Sequence, residues 1–298
     1  MIHLLPTIFI CTKNRNDSLN CLLEDLLNQE SVETFPPIYL IDNSSSASSG
    51  ELIRKFKAKF QNGIYMVHEP RQGVAFARNR ALSIALEKNW DVIFLDDDER
   101  VSSNWLCNIL NSHNNHPEAM IVGPVRPEVS TEWSSWCPGK KCWRRPELGD
   151  SEFISQPVGT GNIYIPITAI KQTGFFKEKF TSGGEDTDFT KRWINKNGKI
   201  LFSRAALAWE PVTKARSEAT FVASRIRKST MIWSDIHIEF GGSTIYLYFK
   251  LVRDLLEGVF LFLVNNHGGS RRKHFKIYFG KYLGMKDFFS QRLPLRQE

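Results

Sequence analysis

The sequence predicts an α/β chain: a mostly parallel, doubly wound sheet with helices on both faces, followed by a helical C-terminal extension. Three observations point there. Val92-Ile93-Phe94-Leu95 is an unbroken apolar run, which a strand buried on both faces requires and which lies inside a parallel sheet. Short β-branched runs alternate with leucines at helical spacing from residue 7 onward, the pattern of successive strand-helix-strand units. From about residue 212 the strand-like runs stop, and the chain reads as helical to its end.

Thr7-Ile8-Phe9-Ile10-Cys11 is the first strand. Leu19, Leu22, Leu23, Leu26 and Leu27 then follow at helical spacing, with Asp17 or Ser18 suited to cap the helix. Pro36-Pro37 breaks the chain before a second strand, Ile38-Tyr39-Leu40-Ile41. Ile64 to Val67 is a third, and a helix from about Val74 to Glu87 leads into the central strand at Val92. Beyond Trp105 a short helix precedes the strand Met120-Ile121-Val122-Gly123. Ser130 to Gln156 holds three tryptophans, a Pro-Gly turn and the cluster Lys140, Lys141, Arg144 and Arg145, without a clean period. It reads as a long loop over the site, because loops of that length in a compact domain are usually functional. Gly159 to Ile165 follows, then a helix opened by Gly183-Gly184 and running to about Asn195. Ile200-Leu201-Phe202 and Ala206-Leu207-Ala208-Trp209 are two late strands.

With 298 residues, 42% hydrophobic and 24% charged, the chain has ordinary globular composition and length for one large domain or two. The expected division is residues 1–215, a catalytic domain, and 216–298, a helical region. Charge supports it. From Val212 onward 15 Lys and Arg stand against seven Asp and Glu, net +8, which leaves residues 1–211 with 24 against 25, net −1. Five cysteines, an odd number without secretory spacing, suit a reducing compartment. Cys137 and Cys142 lack the second Cys or His pair that a zinc site needs. No signal peptide is expected at the N-terminus, and the longest apolar run of the tail, Val259 to Val264, is too short to span a bilayer.

The chemistry gathers where strands end. Asp96-Asp97-Asp98-Glu99 follow the central strand directly. Four carboxylates there repel one another and are costly to desolvate, so a cation belongs beside them. Hard oxygens without Cys or His nearby suit Mg²⁺ or Mn²⁺, which in turn suit a diphosphate. The other reading, acids opening the next helix, fits Glu99 better than three consecutive aspartates. The first two strands end in comparable polar stretches, Thr12-Lys13-Asn14-Arg15 and Asp42-Asn43-Ser44.

Taken together, Thr12-Lys13-Asn14-Arg15, Ile41-Asp42-Asn43-Ser44, Arg71 to Asn79, Leu95-Asp96-Asp97-Asp98, Gly159-Thr160-Gly161-Asn162 and Gly183-Gly184-Glu185-Asp186 resemble the family 2 glycosyltransferases, which adopt the GT-A fold. Each motif alone is weak; their order at these strand ends is specific. The resemblance covers residues 7 to about 215, and the tail resembles membrane-associated members only in character.

The resemblance implies roles residue by residue. Asp42 would accept from the uracil N–H, an Asx turn being the other reading. Thr12 and Arg15 would sit under base and ribose, although Arg15 could instead pair with the acidic first helix. Arg71, Gly73 and Arg78 would steady the diphosphate or ribose, with a surface salt bridge as the alternative for Arg78. Asp96 and Asp97 would contact the nucleotide, and Asp98 with Asp96 would ligate Mn²⁺ or Mg²⁺. Gly161 and Asn162 would line donor sugar and acceptor. Asp186 would be the general base, while Asp188 reads as a helix N-terminal acid. Many relatives carry a His after the late strand; here Ala208-Trp209-Glu210-Pro211 stands, so either Glu210 or water and phosphate completes the shell.

The implied activity is inverting transfer of a sugar from a nucleotide donor, a UDP-sugar, to a glycan or lipid-linked glycan, by a cytoplasmic protein held peripherally on the inner face of the cell membrane. Two other enzyme readings stand beside it, a sugar nucleotidyltransferase and a two-metal nuclease; the former lacks its Gly-rich phosphate loop near the first strand. A non-catalytic nucleic-acid binder could use the basic tail, where Lys and Arg interleave with Phe and Tyr, but no reader motif is present and nucleic acid is not an expected partner.

The tail carries its own pattern. On a helix, Lys250, Arg253, Asp254 and Glu257 share one narrow face, while Ile245, Leu247, Phe249, Val252, Leu256, Val259, Phe260 and Leu263 take most of the rest. A helix lying in a membrane interface satisfies both, with the basic residues beyond Arg271 meeting an anionic membrane surface; packing on the catalytic domain or a second subunit is the alternative.

Overall fold

The computed structural model describes residues 6–46, 49–129, 152–180, 183–264 and 268–292. In chain order these form β1 (Thr7–Thr12), α1 (Asn16–Leu27), β2 (Ile38–Asp42), α2 (Gly50–Phe56), β3 (Ile64–His68), α3 (Val74–Lys88), β4 (Val92–Asp96), β5 (Arg100–Val101), α4 (Trp105–Asn115), β6 (Met120–Val122), β7 (Val125–Val129), β8 (Glu152–Phe153), β9 (Asn162–Ile165), α5 (Ile167–Thr173), α6 (Glu185–Asn195), β10 (Ile200–Phe202) and β11 (Ala208–Val212). Four helices follow: α7 (Lys214–Ser217), α8 (Ala219–Glu239), α9 (Thr244–Val264) and α10 (Gly268–Arg292). The chain divides into two compact units, Met1–Arg126 with Arg145–Pro211, and Pro127–Arg144 with Val212–Glu298.

The first unit is built on an eight-stranded sheet of order β3-β2-β1-β4-β9-β6-β10-β8. β3, β2, β1 and β4 run parallel, β9 runs against both β4 and β6, and β8 runs against β10. Alternate residues of one strand serve opposite faces, which explains the unbroken apolar runs. Ile8, Ile10, Ile93 and Leu95 join Leu19, Leu22, Leu23 and Leu26 of α1 and Trp105 of α4 on one face. Phe9, Val92 and Phe94 join Ala77, Ala81 and Leu82 of α3 and Phe189 of α6 on the other. β11 pairs antiparallel with β5, Ala208 opposite Val101.

Several local expectations differ from the structure. α1 starts at Asn16, so Arg15 occupies the cap position with no side-chain cap bond, instead of Asp17 or Ser18. α2 and α5, each of seven residues, escape a periodicity reading because they span under two turns. Within the stretch read as a loop from Ser130 to Gln156, Glu152 and Phe153 form an edge strand. The rest of that loop up to Ser151, with both cysteines and the basic cluster, lies outside the described residues.

In the second unit α8, α9 and α10 pack around a small core of Leu247, Met285 and Phe288. Gly280 and Gly284 let α10 approach α8 closely: a Cβ at Gly280 would lie 2.6 Å from the Ala223 carbonyl oxygen, and one at Gly284 would lie 2.1 Å from that of Arg227. Arg227 Nε also donates to Asp287 Oδ2 at 2.6 Å, tying the same two helices. The charged stripe of α9 does not face outward as a whole. Asp254 is fully buried, accepting from Lys250 Nζ at 3.0 Å and from Arg253 Nη2 at 2.8 Å.

Candidate active site

Strand register sets the site. Cys11 lies beside Asp96, Thr12 beside Asp42, and Asp42 beside His68, so the carboxyl ends of β4, β1, β2 and β3 finish level. Open α/β sheets bind ligands at this edge. Gly161, just before the reversed strand β9, meets the end of β4, and Asp96 N–H donates to its carbonyl at 3.0 Å. A Cβ there would stand 2.6 Å from Asp96 Oδ2 and 2.6 Å from Glu99 Oε1. A side chain at this position would therefore push both carboxylates from their places.

Two arginines neutralise that turn. Arg15 Nη1 donates to Asp97 Oδ1 at 2.8 Å and to Asp98 Oδ2 at 3.0 Å, so it does not pair with α1. Thr12 Oγ1 donates to Asp97 Oδ2 at 2.8 Å. Burial pushes the Asp97 carboxyl up to about 6, an effect that the Arg15 charge and the Thr12 hydroxyl offset only in part. Arg78, on α3, has a side chain only 6% exposed, so its ion pairs are interior and not the surface bridge that was the alternative. Its Nη2 donates to Asp96 Oδ1 at 3.0 Å and its Nη1 to Glu185 Oε1. Burial opposes the guanidinium charge, but Asp96, Glu185 and Asp186 outweigh it and keep Arg78 protonated. Burial likewise raises the Glu185 carboxyl, against the pull of Arg78.

Glu185 and Asp186 open α6 directly after Gly183 and Gly184, whose φ angles of 114° and 95° explain the two glycines. Asp186 is half-buried, and its Oδ1 accepts from Thr187 N–H at 2.6 Å. Asp188 is fully buried between Arg192 Nε at 2.7 Å and Lys177 Nζ at 3.0 Å. The helix thus divides its acids: Glu185 locks Arg78, Asp186 stays beside it, and Asp188 fastens α6 to the chain before it.

Other sequence-named residues stand further back. Asp42 is buried with its oxygens turned into its own loop: Oδ1 accepts from Ser44 N–H at 2.9 Å and Oδ2 from Ser49 N–H at 3.0 Å, the geometry of the Asx-turn reading. Burial alone would raise its pKa, but the bonds from Ser44 and Ser49 bring it below the ordinary value. Asn162 is also buried: it accepts from Trp105 Nε1 at 2.9 Å and donates to the Ala206 carbonyl at 2.9 Å, so its side chain ties the core and does not reach the acidic turn. Arg71 is held by Glu69, Nε to Oε1 at 2.9 Å and Nη2 to Oε2 at 3.1 Å. It borders a pocket of about 520 Å³ with Arg80, Phe175 and Glu178. Gly73, at φ 138°, donates its N–H to Asn43 Oδ1 at 2.9 Å.

Sequence reasoning missed two residues here. Asn43 gathers the loop after β3 by donating to the carbonyls of Glu69 at 2.8 Å and Arg71 at 2.7 Å. Glu185 stands in the Gly183-Gly184-Glu185-Asp186 motif, but the sequence assigns it no role of its own; the structure gives it one, as the partner of Arg78.

The donor chemistry bears on a metal. Among the described residues no three His, Cys, Asp or Glu side chains gather as a metal-binding group, Glu210 included. Asp96, its side chain 39% exposed, and half-buried Asp98 do offer hard oxygens at the strand end. Two carboxylates completed by phosphate oxygens are a usual arrangement for Mg²⁺, so the set fits a cation shared with a nucleotide and not one caged by protein alone.

Comparison with known proteins bears on the family and the fold. The model of the family "Glycosyl transferase family 2" matches residues 7–170. Over 190 residues the chain is 28% identical to the succinoglycan biosynthesis protein ExoM of Rhizobium meliloti (strain 1021), covering 63% of this chain and 60% of that protein. Among solved structures, S. aureus TarS 1–349 in complex with UDP is similar with a TM-score of 0.57 and 15% identity, covering 98% of this chain and 93% of the other. GalNAc-T7 with UDP, GalNAc and Mn²⁺ gives 0.53 at 18% identity, over 76% and 51%. At such identities the structural likeness concerns the fold.

Proposed function

The chain belongs to glycosyl transferase family 2 and has the GT-A fold, and on that premise we propose that it transfers a sugar from a UDP-sugar to a glycan or lipid-linked glycan with inversion at the anomeric carbon. The observation that carries this is the convergence, at one sheet edge, of Asp96 with buried Arg78 and of Asp97 and Asp98 with Arg15. Complexes of similar folds with UDP and UDP-GlcNAc support the choice of donor.

Each residue has a task. Arg15 fixes Asp97 and Asp98, and Thr12 fixes Asp97 from the other side, so the donor meets a preset surface and not mobile carboxylates. Asp96 and Asp98 would hold Mg²⁺ or Mn²⁺, which neutralises negative charge on the departing diphosphate. Arg71 and the loop ordered by Asn43 and Gly73 border the nucleotide. Asp42 shapes the loop beside the base, and Gly161 keeps open the space next to Asp96. Asp186 accepts the acceptor hydroxyl proton as that oxygen bonds to the anomeric carbon; the bond from that carbon to the diphosphate oxygen breaks, and its electron pair leaves with the diphosphate.

A thermal-shift panel of UDP-, GDP- and dTDP-sugars, with and without Mn²⁺, tests the donor, since a ligand that binds only the folded state raises the midpoint. A UDP-sugar should raise it most. No response to any nucleotide-sugar would contradict the reading. For the base, Asp186→Asn should keep donor affinity and lose about 10²- to 10⁴-fold in turnover. Full activity in that variant, or product with retained configuration, would remove Asp186 from the role.

A further inference from the structure

Helix α9 has two apolar sides. The inward one sets Leu247 and Leu251 in the core of the unit beside a fully buried Asp254, which is held by Lys250 and Arg253 of the same helix. Its opposite side carries Ile245, Phe249, Val252, Leu256 and Phe260, each between 53% and 72% exposed. Spacings of four, three, four and four place these five on one stripe, about 22 Å long at the rise of an α-helix. Contiguous apolar surface of this extent on a folded protein marks an interaction site, and single scattered apolar residues do not.

Charge selects the occupant. The chain from Val212 onward carries net +8, so two copies of this unit set face to face would bring like charge together. An anionic bilayer has the complementary sign and also offers an apolar layer below its headgroups. Arg253, 62% exposed, flanks the stripe, and Lys286 of α10 is exposed in the same unit. Among the described residues no helix is long and apolar enough to cross a membrane. With 21 residues α9 has the length to span, but Lys250, Arg253, Asp254 and Glu257 charge it too heavily to do so; a helix with a broad apolar face and a basic setting of this kind lies in the interface plane.

We propose that α9 seats Ile245, Phe249, Val252, Leu256 and Phe260 in the headgroup boundary of an anionic lipid bilayer, parallel to its surface. The inward side explains why the stripe is left outside: Leu247 and Leu251 already fill the core against Met285 and Phe288, and Asp254 beside them is satisfied within the helix. This inference stands apart from the sugar-transfer reading, since it concerns α9 whatever reaction the first unit performs.

Flotation of the full chain with vesicles of phosphatidylcholine alone, or mixed with phosphatidylglycerol, decides it. The wild type should rise with anionic vesicles at low salt and less at high salt. F249S/L256S should reduce the bound fraction on the order of tenfold or more, two inserted apolar side chains being lost. Both residues are exposed, so its unfolding midpoint should match the wild type and separate lost binding from lost fold. In a second variant, Phe249→Trp, emission should shift to the blue on adding anionic vesicles. A wild type that stays at the bottom of the gradient with every lipid would overturn the proposal. So would a wild-type dimer that F249S/L256S dissociates without any vesicle binding, since a second copy would then cover the stripe.

Discussion

Arg78 and Asp254 make opposite arrangements. One is a cation buried between two carboxylates, Asp96 and Glu185; the other is a carboxylate buried between two cations, Lys250 and Arg253. The partners of Arg78 lie 18 and 107 residues away on β4 and α6, so its lock exists only after the sheet and α6 have assembled. The partners of Asp254 are one and four residues away on its own helix. A long-range lock holds the acidic turn in one geometry, as a ligand site requires. A local one satisfies a buried charge within one helix, beside the apolar core that Leu247 and Leu251 help to form. Burying charge thus serves preorganisation in the first unit and costs the second no long-range partner.

The largest expected effect breaks the long-range lock. Arg78→Met leaves Asp96 and Glu185 without their counter-charge, and removing one partner of a buried pair costs about 3–5 kcal/mol. Urea denaturation followed by tryptophan fluorescence measures it. A loss below about 1 kcal/mol would mean that the carboxylates escape to solvent or protonate at little cost.

A smaller loss is expected in the second unit. Asp254→Asn removes charge-assisted hydrogen bonds worth about 1.5–3 kcal/mol, but Arg253 already reaches solvent and loses less than a stranded interior charge would. If this substitution proved costlier than Arg78→Met, the contrast between local and long-range locking would fail.

The smallest effect is in pH. Burial would raise the Asp254 carboxyl, yet the bonds from Arg253 and Lys250 outweigh it and set its folded pKa below the ordinary 3.8. Its contribution to stability is therefore present above about pH 4 and lost as pH falls through that depressed value, where the native carboxylate finally binds its proton. Stability curves of wild type and Asp254→Asn should converge in that acid window and stay parallel above it. Curves parallel throughout would show that the aspartate is not ion-paired in solution.

Much of this was legible in the sequence where the signal is local. The runs Thr7–Cys11, Ile38–Ile41 and Val92–Leu95 are strands because β-branched and apolar residues fill both faces of the sheet, and the helix opened by Gly183-Gly184 ends at Asn195 as its period suggested. Long-range partnership was not legible. Nothing in the spacing says that Arg78 meets Glu185, that Asn162 turns from the site to hold Trp105, or that Asn43 gathers the loop before Gly73. The helical wheel of α9 showed which residues share a face. It did not show which face looks inward, because that depends on where α8 and α10 pack.

The central claim, that the carboxylates after β4 bind a nucleotide diphosphate together with a divalent cation, is tested most directly by calorimetric titration of UDP with and without Mn²⁺ into wild type and Asp98→Ala. Wild type should bind UDP more tightly with Mn²⁺. Asp98→Ala should lose that metal-dependent gain while keeping its unfolding midpoint, because removing one acid from a crowded cluster relieves repulsion. Equal, metal-enhanced UDP binding by the two proteins, or no UDP binding by wild type, would contradict the claim.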